Sequence, residues 1–125
     1  MAASRKQVQN FLTNFKKAAQ QELSVIPRKI NLEFLTQHGL TPKERKEVIL
    51  GLTVKDYFKG PEGDERAPGP QDIWFFGVEY QYLEIYIKLQ LVEEKEESTG
   101  TAIKHAKCIS FHQAQWPMRY PYEGE

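Results

Sequence analysis

From Leu83 to Leu91 the chain alternates strictly, with Leu83, Ile85, Ile87, Leu89 and Leu91 apolar and Glu84, Tyr86, Lys88 and Gln90 between them polar. Side chains of a strand point to opposite faces at every second residue, so the pattern predicts a strand over 82–92 with one apolar and one polar face. The apolar face needs a core to lie on. The polar face carries a tyrosine and a lysine on a rigid element.

The neighbouring segments supply partners for that strand. Ile73-Trp74-Phe75-Phe76-Gly77-Val78 is β-rich and close enough to form an antiparallel hairpin with it. Residues 103–112 make a third strand, on which Ile109 and Phe111 are expected on one face and Cys108, Ser110 and His112 on the other. The first half of the chain reads as helix. Ser4 and Gln7 form a capping box before Val8, Phe11, Leu12, Phe15 and Ala19, which recur at helical spacing and leave Lys16, Lys17 and Gln20 to water. Ser24 to Pro27 is a short extended piece. Asn31 is expected to cap a second helix that buries Leu32, Phe34 and Leu35 and stops before Gly39. Thr41-Pro42-Lys43-Glu44 starts a third, with the cap, the proline and the glutamate at their favoured positions.

Helices followed by a meander of strands make an α+β fold, a small antiparallel β-sheet with N-terminal helices packed on one face. The expected single domain, 1–125, divides into helices over 4–58, a Gly- and Pro-rich loop over 59–72, the sheet over 73–112 and an aromatic tail over 113–125. In this reading the sheet's other face stays partly open, presenting Glu84, Tyr86, Lys88, Ser110 and His112.

A chain of 125 residues with 40% hydrophobic and 27% charged residues has the composition of one ordinary globular domain. Its zero formal charge conceals an asymmetry, since residues 1–60 carry 11 Lys+Arg against 5 Asp+Glu and residues 61–125 carry 6 against 12. A basic half suits an anionic polymer such as RNA, and it suits equally a fold whose halves pair their surface charges. The lone cysteine, Cys108, cannot form an internal disulfide, and no run is apolar enough for a signal peptide or a membrane span. A cytoplasmic location with no membrane contact is the expectation. His38, His105 and His112 lack metal-ligand spacing, and there is no Gly-rich phosphate loop, so neither a metal nor another cofactor is expected.

What remains is lysine, tyrosine and histidine on neighbouring strands. That set suits cleavage of a phosphodiester by the RNA's own 2′-hydroxyl. Histidine can move the proton, lysine supplies fixed positive charge, and tyrosine can donate to phosphate or stack on a base.

Gly39-Leu40, Val48-Ile49-Leu50-Gly51-Leu52-Thr53, Asp56-Tyr57-Phe58-Lys59, Asp64, Ile73-Trp74, Ile85-Tyr86-Ile87-Lys88-Leu89 and Ile109-Ser110-Phe111-His112 occur in the order and spacing of a known family. Over residues 30–112 the chain resembles the motility quorum-sensing regulator (MqsR) toxins. The resemblance implies a RelE-like fold and a metal-independent mRNA endonuclease, an mRNA interferase, of a type II toxin–antitoxin pair. Its partners would be mRNA and a cognate antitoxin protein, with DNA reached only indirectly through an antitoxin complex.

On this resemblance Lys59 falls at the family's active-site lysine and Tyr86 at its tyrosine, and His112 replaces a lysine that closes the last strand. Lys59, Tyr86 and His112 are thus the candidate catalytic residues. Arg66, Trp74, Lys88 and Tyr120 are candidates for phosphate contact and base stacking, as are the tail aromatics Trp116 and Tyr122. Phe75 departs from the family, which has glutamine beside the tryptophan. The alternative from a different class is a non-catalytic module of the same fold that binds protein or nucleic acid on its open face.

Overall fold

A computed structural model describes residues 2–63 and 72–124. The elements run α1 (Arg5–Gln21), β1 (Leu23–Val25), α2 (Lys29–His38), α3 (Pro42–Leu50), a 3-10 turn (Val54–Asp56), β2 (Tyr57–Glu62), β3 (Ile73–Tyr80), β4 (Leu83–Lys95) and β5 (Ala102–Gln113). Five strands form one sheet in the order β1-β5-β4-β3-β2. β1 pairs parallel with β5, and the other neighbours are antiparallel. With its helices N-terminal to the sheet, apart from the short β1, this is an α+β fold.

α1 forms where its pattern puts it, with Ser4 and Gln7 capping reciprocally and Val8, Phe11, Leu12, Phe15 and Ala19 buried. These meet Phe76, Ile85, Ile87, Leu89 and Phe111 of the sheet in the core. Phe111 is also touched edge-on by Phe34 of α2, their ring centroids 5.9 Å apart. Lys16 is not free in water as expected, because its ammonium donates to the Leu52 carbonyl and ties α1 to the turn that follows α3.

Five further expectations need correction in this part of the fold. The extended piece around Ser24 is a true strand, recruited by the edge of β5. Lys59 does not ride a loop, because β2 begins at Tyr57 and pairs Lys59 with Phe75. Tyr82 lies outside the strand: Gln81 and Tyr82 both have positive φ, 52° and 66°, the geometry of a two-residue hairpin turn. Leu32 is not buried but half exposed on the outer side of α2.

The fifth concerns Asn31, which caps nothing. Arg28 stands at the N-cap of α2, and Asn31 is fully buried against a bulge in β5. Its amide donates to the carbonyls of Ile26 and Ile109, each at 3.0 Å, and its oxygen accepts from the Phe111 amide at 3.1 Å. The carboxamide thus satisfies backbone groups that no strand reaches.

The same bulge changes the face of a residue. Leu89 pairs with Cys108 but Lys88 pairs with Ser110, so Ile109 is the extra residue. Ser110, Phe111 and His112 keep their expected faces, and Cys108 turns inward to the core. Burial pushes its thiol up to about 12. Native protein is therefore expected to leave Cys108 unreacted with an aromatic disulfide reagent at neutral pH, and to release one equivalent of thiol once unfolded in guanidinium. A fast reaction in the native state would contradict this burial.

Candidate active site on the outer sheet face

The register of four strands builds the site. Ser110 on β5, Lys88 on β4, Phe75 on β3 and Lys59 on β2 form one row across the face turned away from α1. The next row holds His112, Tyr86 and Gly77. Alternation on β4 and the length of β5 beyond the bulge therefore bring Tyr86 and His112 together as a cross-strand pair, with ring centroids 5.5 Å apart.

Phe75 is the aromatic divider of this face. Its ring lies 6.3 Å from that of Tyr86, and the ammonium groups of Lys59 and Lys88 stand 4.6 Å and 5.5 Å from its centroid. A phenyl ring holds two cations near one another without neutralising either, which a glutamine would not do. Lys88 also stands 5.7 Å from the Tyr86 ring. A third cation comes from outside the sheet: the Arg28 guanidinium donates to the Ser110 hydroxyl at 2.9 Å. Lys59 is partly offset by Glu62, 3.1 Å away, with both side chains about half exposed. Such an exposed pair is weak and exchanges readily for an anionic ligand.

The protonation states follow from these surroundings. Burial lowers the His112 pKa from its ordinary value, the Arg28 and Lys88 charges lower it further, and the backbone carbonyl of Gln113 acts the other way. That carbonyl lies 3.0 Å from Nδ1 and can only accept, so Nδ1 carries the hydrogen and Nε2 keeps its lone pair. His112 is thus a neutral imidazole at pH 7, in the tautomer of a base. Burial pushes the Tyr86 phenol up to about 12, with Glu62 raising it further and Arg28 opposing. Tyr86 is therefore a hydrogen-bond donor.

Beyond β5 the tail turns back over the second row. Ala114 donates to the Glu84 carbonyl, and the Tyr120 hydroxyl donates to the Glu84 carboxylate at 2.8 Å. Burial, then that carboxylate, raises the Tyr120 pKa. Gly77 makes the crossing possible, since a Cβ there would lie 2.3 Å from both Met118 Cε and the Tyr120 hydroxyl. The tail ends with Tyr122 stacked on Tyr57 and donating to the Ala3 carbonyl at 2.6 Å. Trp116 and Met118 wall a narrow cleft whose floor is Tyr86 and His112. Trp116 is largely exposed there.

Of the residues singled out in the sequence, Lys59, Tyr86, Lys88 and His112 share this face, and Tyr120 closes one side of it. The face is less open than expected, since Ser110, Phe75 and His112 are buried and Glu84, Tyr86 and Lys88 only partly exposed. Trp74 does not join them. It pairs with Leu89 on the helix side, where its ring stacks on Phe11 with centroids 4.6 Å apart. Any site lined jointly by Trp74, Tyr86 and Trp116 is thereby ruled out. Arg66 and Asp64 lie outside the described residues. Arg28 was missed, because nothing in its local pattern tells that a residue before a helix reaches Ser110 on the last strand. Among the described residues no three His, Cys, Asp or Glu side chains group as metal ligands, and no helix is long and apolar enough to cross a membrane. Compared with models of protein families, with curated proteins and with solved structures, the chain matches none.

Proposed function

We propose that the protein is an RNA endonuclease that cleaves by attack of the substrate's 2′-hydroxyl and uses no metal. One observation carries the reading. A neutral histidine with a free Nε2 faces a protonated tyrosine across one strand pair, on a sheet face that gathers Arg28, Lys59 and Lys88.

Each group has a role in that reaction. His112 Nε2 takes the 2′-hydroxyl proton as the oxygen bonds to phosphorus. The bond from phosphorus to the 5′-oxygen breaks, and the departing oxygen takes the Tyr86 proton, since a phenol is more acidic than a primary alcohol. Lys59, Lys88 and Arg28 stabilise the extra charge on the phosphoryl oxygens. Proton return from the His112 imidazolium to the Tyr86 phenolate, directly or through water, restores the starting state. The products are a 2′,3′-cyclic phosphate and a 5′-hydroxyl.

The resemblance to the motility quorum-sensing regulator toxins supports the same reaction and adds a setting: a cytoplasmic mRNA interferase held in check by a cognate antitoxin protein. Glu62 beside Lys59 fits a site that an anion must enter by displacing a carboxylate.

Purified protein incubated with RNA in excess EDTA tests the reading. Cyclic-phosphate ends are expected, with Lys59→Ala slowing cleavage by about 10-fold to 100-fold, the worth of a partly screened charge near phosphate. Unaltered cleavage by Lys59→Ala would remove that lysine from the site. Intact RNA with the wild type would favour a binding module on the same face. Poor growth on expression, relieved by an adjacent gene, is the expected mark of the toxin–antitoxin setting.

A further inference from the structure

His112 also forms a wall of a second cavity, which shares Ala114 and Gln115 with the cleft under Trp116. This space of about 240 Å3 lies between α2 and the chain leaving β5. Glu33, Gln37 and His38 of α2 line it with Gln113 and Gln115, and Ile30 and Phe34 provide apolar surface. The His38 ring packs on Phe34 with centroids 4.7 Å apart.

Among the described residues no lysine or arginine lines this cavity, and its one carboxylate, Glu33, is offset by Lys29 at 3.6 Å, whereas Arg28, Lys59 and Lys88 gather on the sheet face. The surroundings of His112 therefore suit different parts of one substrate: an anion on the sheet face, and a neutral, planar, hydrogen-bonding group in the cavity. The volume falls below the roughly 300 Å3 at which pockets for drug-sized ligands begin, which fits a single heterocycle. Three carboxamides each offer a donor and an acceptor side by side. That pairing complements adenine, whose N6 amino group and ring nitrogen make the reciprocal pair.

We propose that this cavity is a nucleobase subsite, with adenine its preferred occupant and Gln37 a reading residue. The assignment rests on the RNA endonuclease reading and deepens it. In that reaction the base at His112 contacts the nucleotide on the 5′ side of the cut, so that nucleotide's base is the one within reach of the cavity.

The test is binding of the four ribonucleoside 3′-monophosphates, which resemble the end left on that side and contain no bond to cut. Titrations followed through the His112 and His38 imidazole resonances should show adenosine 3′-monophosphate binding about tenfold tighter than the uridine compound. Gln37→Ala, at an exposed helix position, should bring the two within about twofold. Equal binding of all four to the wild type, or an adenine preference untouched by Gln37→Ala, would overturn the subsite. An adenine preference in a protein that leaves RNA intact would keep the subsite and reject the endonuclease. RNA cleavage with equal binding of the four probes would do the reverse.

Discussion

RNA cleavage by the His112→Ala protein is expected to fall by about two to four orders of magnitude, the usual worth of a positioned general base. The fold should survive, because His112 stands at the end of β5 and its buried ring borders Tyr86 and two cavities and is not part of the apolar core. Thermal unfolding of the variant checks this. The pH profile carries more information. Burial, Arg28 and Lys88 hold the His112 pKa below its ordinary value, so the imidazole is neutral through the neutral range. The rate should therefore be flat from neutral pH upward and fall only when acid protonates Nε2. His112→Lys puts a much more basic amine in the same place, so its activity should rise at higher pH than the wild type's. An unshifted profile in that variant would mean that residue 112 is not the base.

The same shift has a consequence for stability. The folded state disfavours the charged imidazole, so it binds fewer protons than the unfolded chain between the folded pKa and the ordinary one. His112 thus contributes stability that is fully present above about pH 6.5, the ordinary value, and is lost as pH falls through its lowered folded value. In His112→Ala that part of the acid sensitivity should vanish.

Asn31→Ala is expected to be the most destabilising single change at a polar position, at about 3 kcal/mol or more. The Ile109 carbonyl and the Phe111 amide lose their Asn31 partner inside the protein, while the Ile26 carbonyl keeps the Arg28 amide. Each buried orphan costs on the order of 1–3 kcal/mol, and relaxation recovers part of the sum. For a domain of this size the loss corresponds to a drop of about 10 °C in Tm. Asn31→Asp should be no better, since it keeps the acceptor but sets a carboxylate against two carbonyls. A fall of only a degree or two would mean that the bulge is held by the β4–β5 pairing alone. Activity should suffer too, because the bulge sets the face of His112.

The alternation over 83–91 makes the sheet legible in the sequence itself, as reciprocal capping at Ser4 and Thr41 does for α1 and α3. Tyr86 and His112 are legible as partners because parity counted back from the end of β5 is right until Ile109. Parity fails at Cys108 because a bulge is a tertiary event: Asn31, many residues away in the chain, supplies the bonds that let Ile109 stand out of register. Trp74 misleads for another reason. In the run Ile73-Trp74-Phe75-Phe76 every residue is apolar, so sequence does not tell which pair faces the helices. Phe11 takes Trp74 as its stacking partner, which leaves Phe75 among the lysines. Arg28 has no local signal at all, and Gly77 takes its meaning only from the tail that crosses it.

One substrate pair tests the central claim most directly: an RNA oligonucleotide carrying the mapped cut, and the same oligonucleotide with a single 2′-deoxyribose on the 5′ side of that cut. In EDTA the wild-type protein should cleave the first to a cyclic phosphate and leave the second intact at that position, because His112 would have no hydroxyl proton to take. Cleavage of both at the same place, or of neither, would contradict the account.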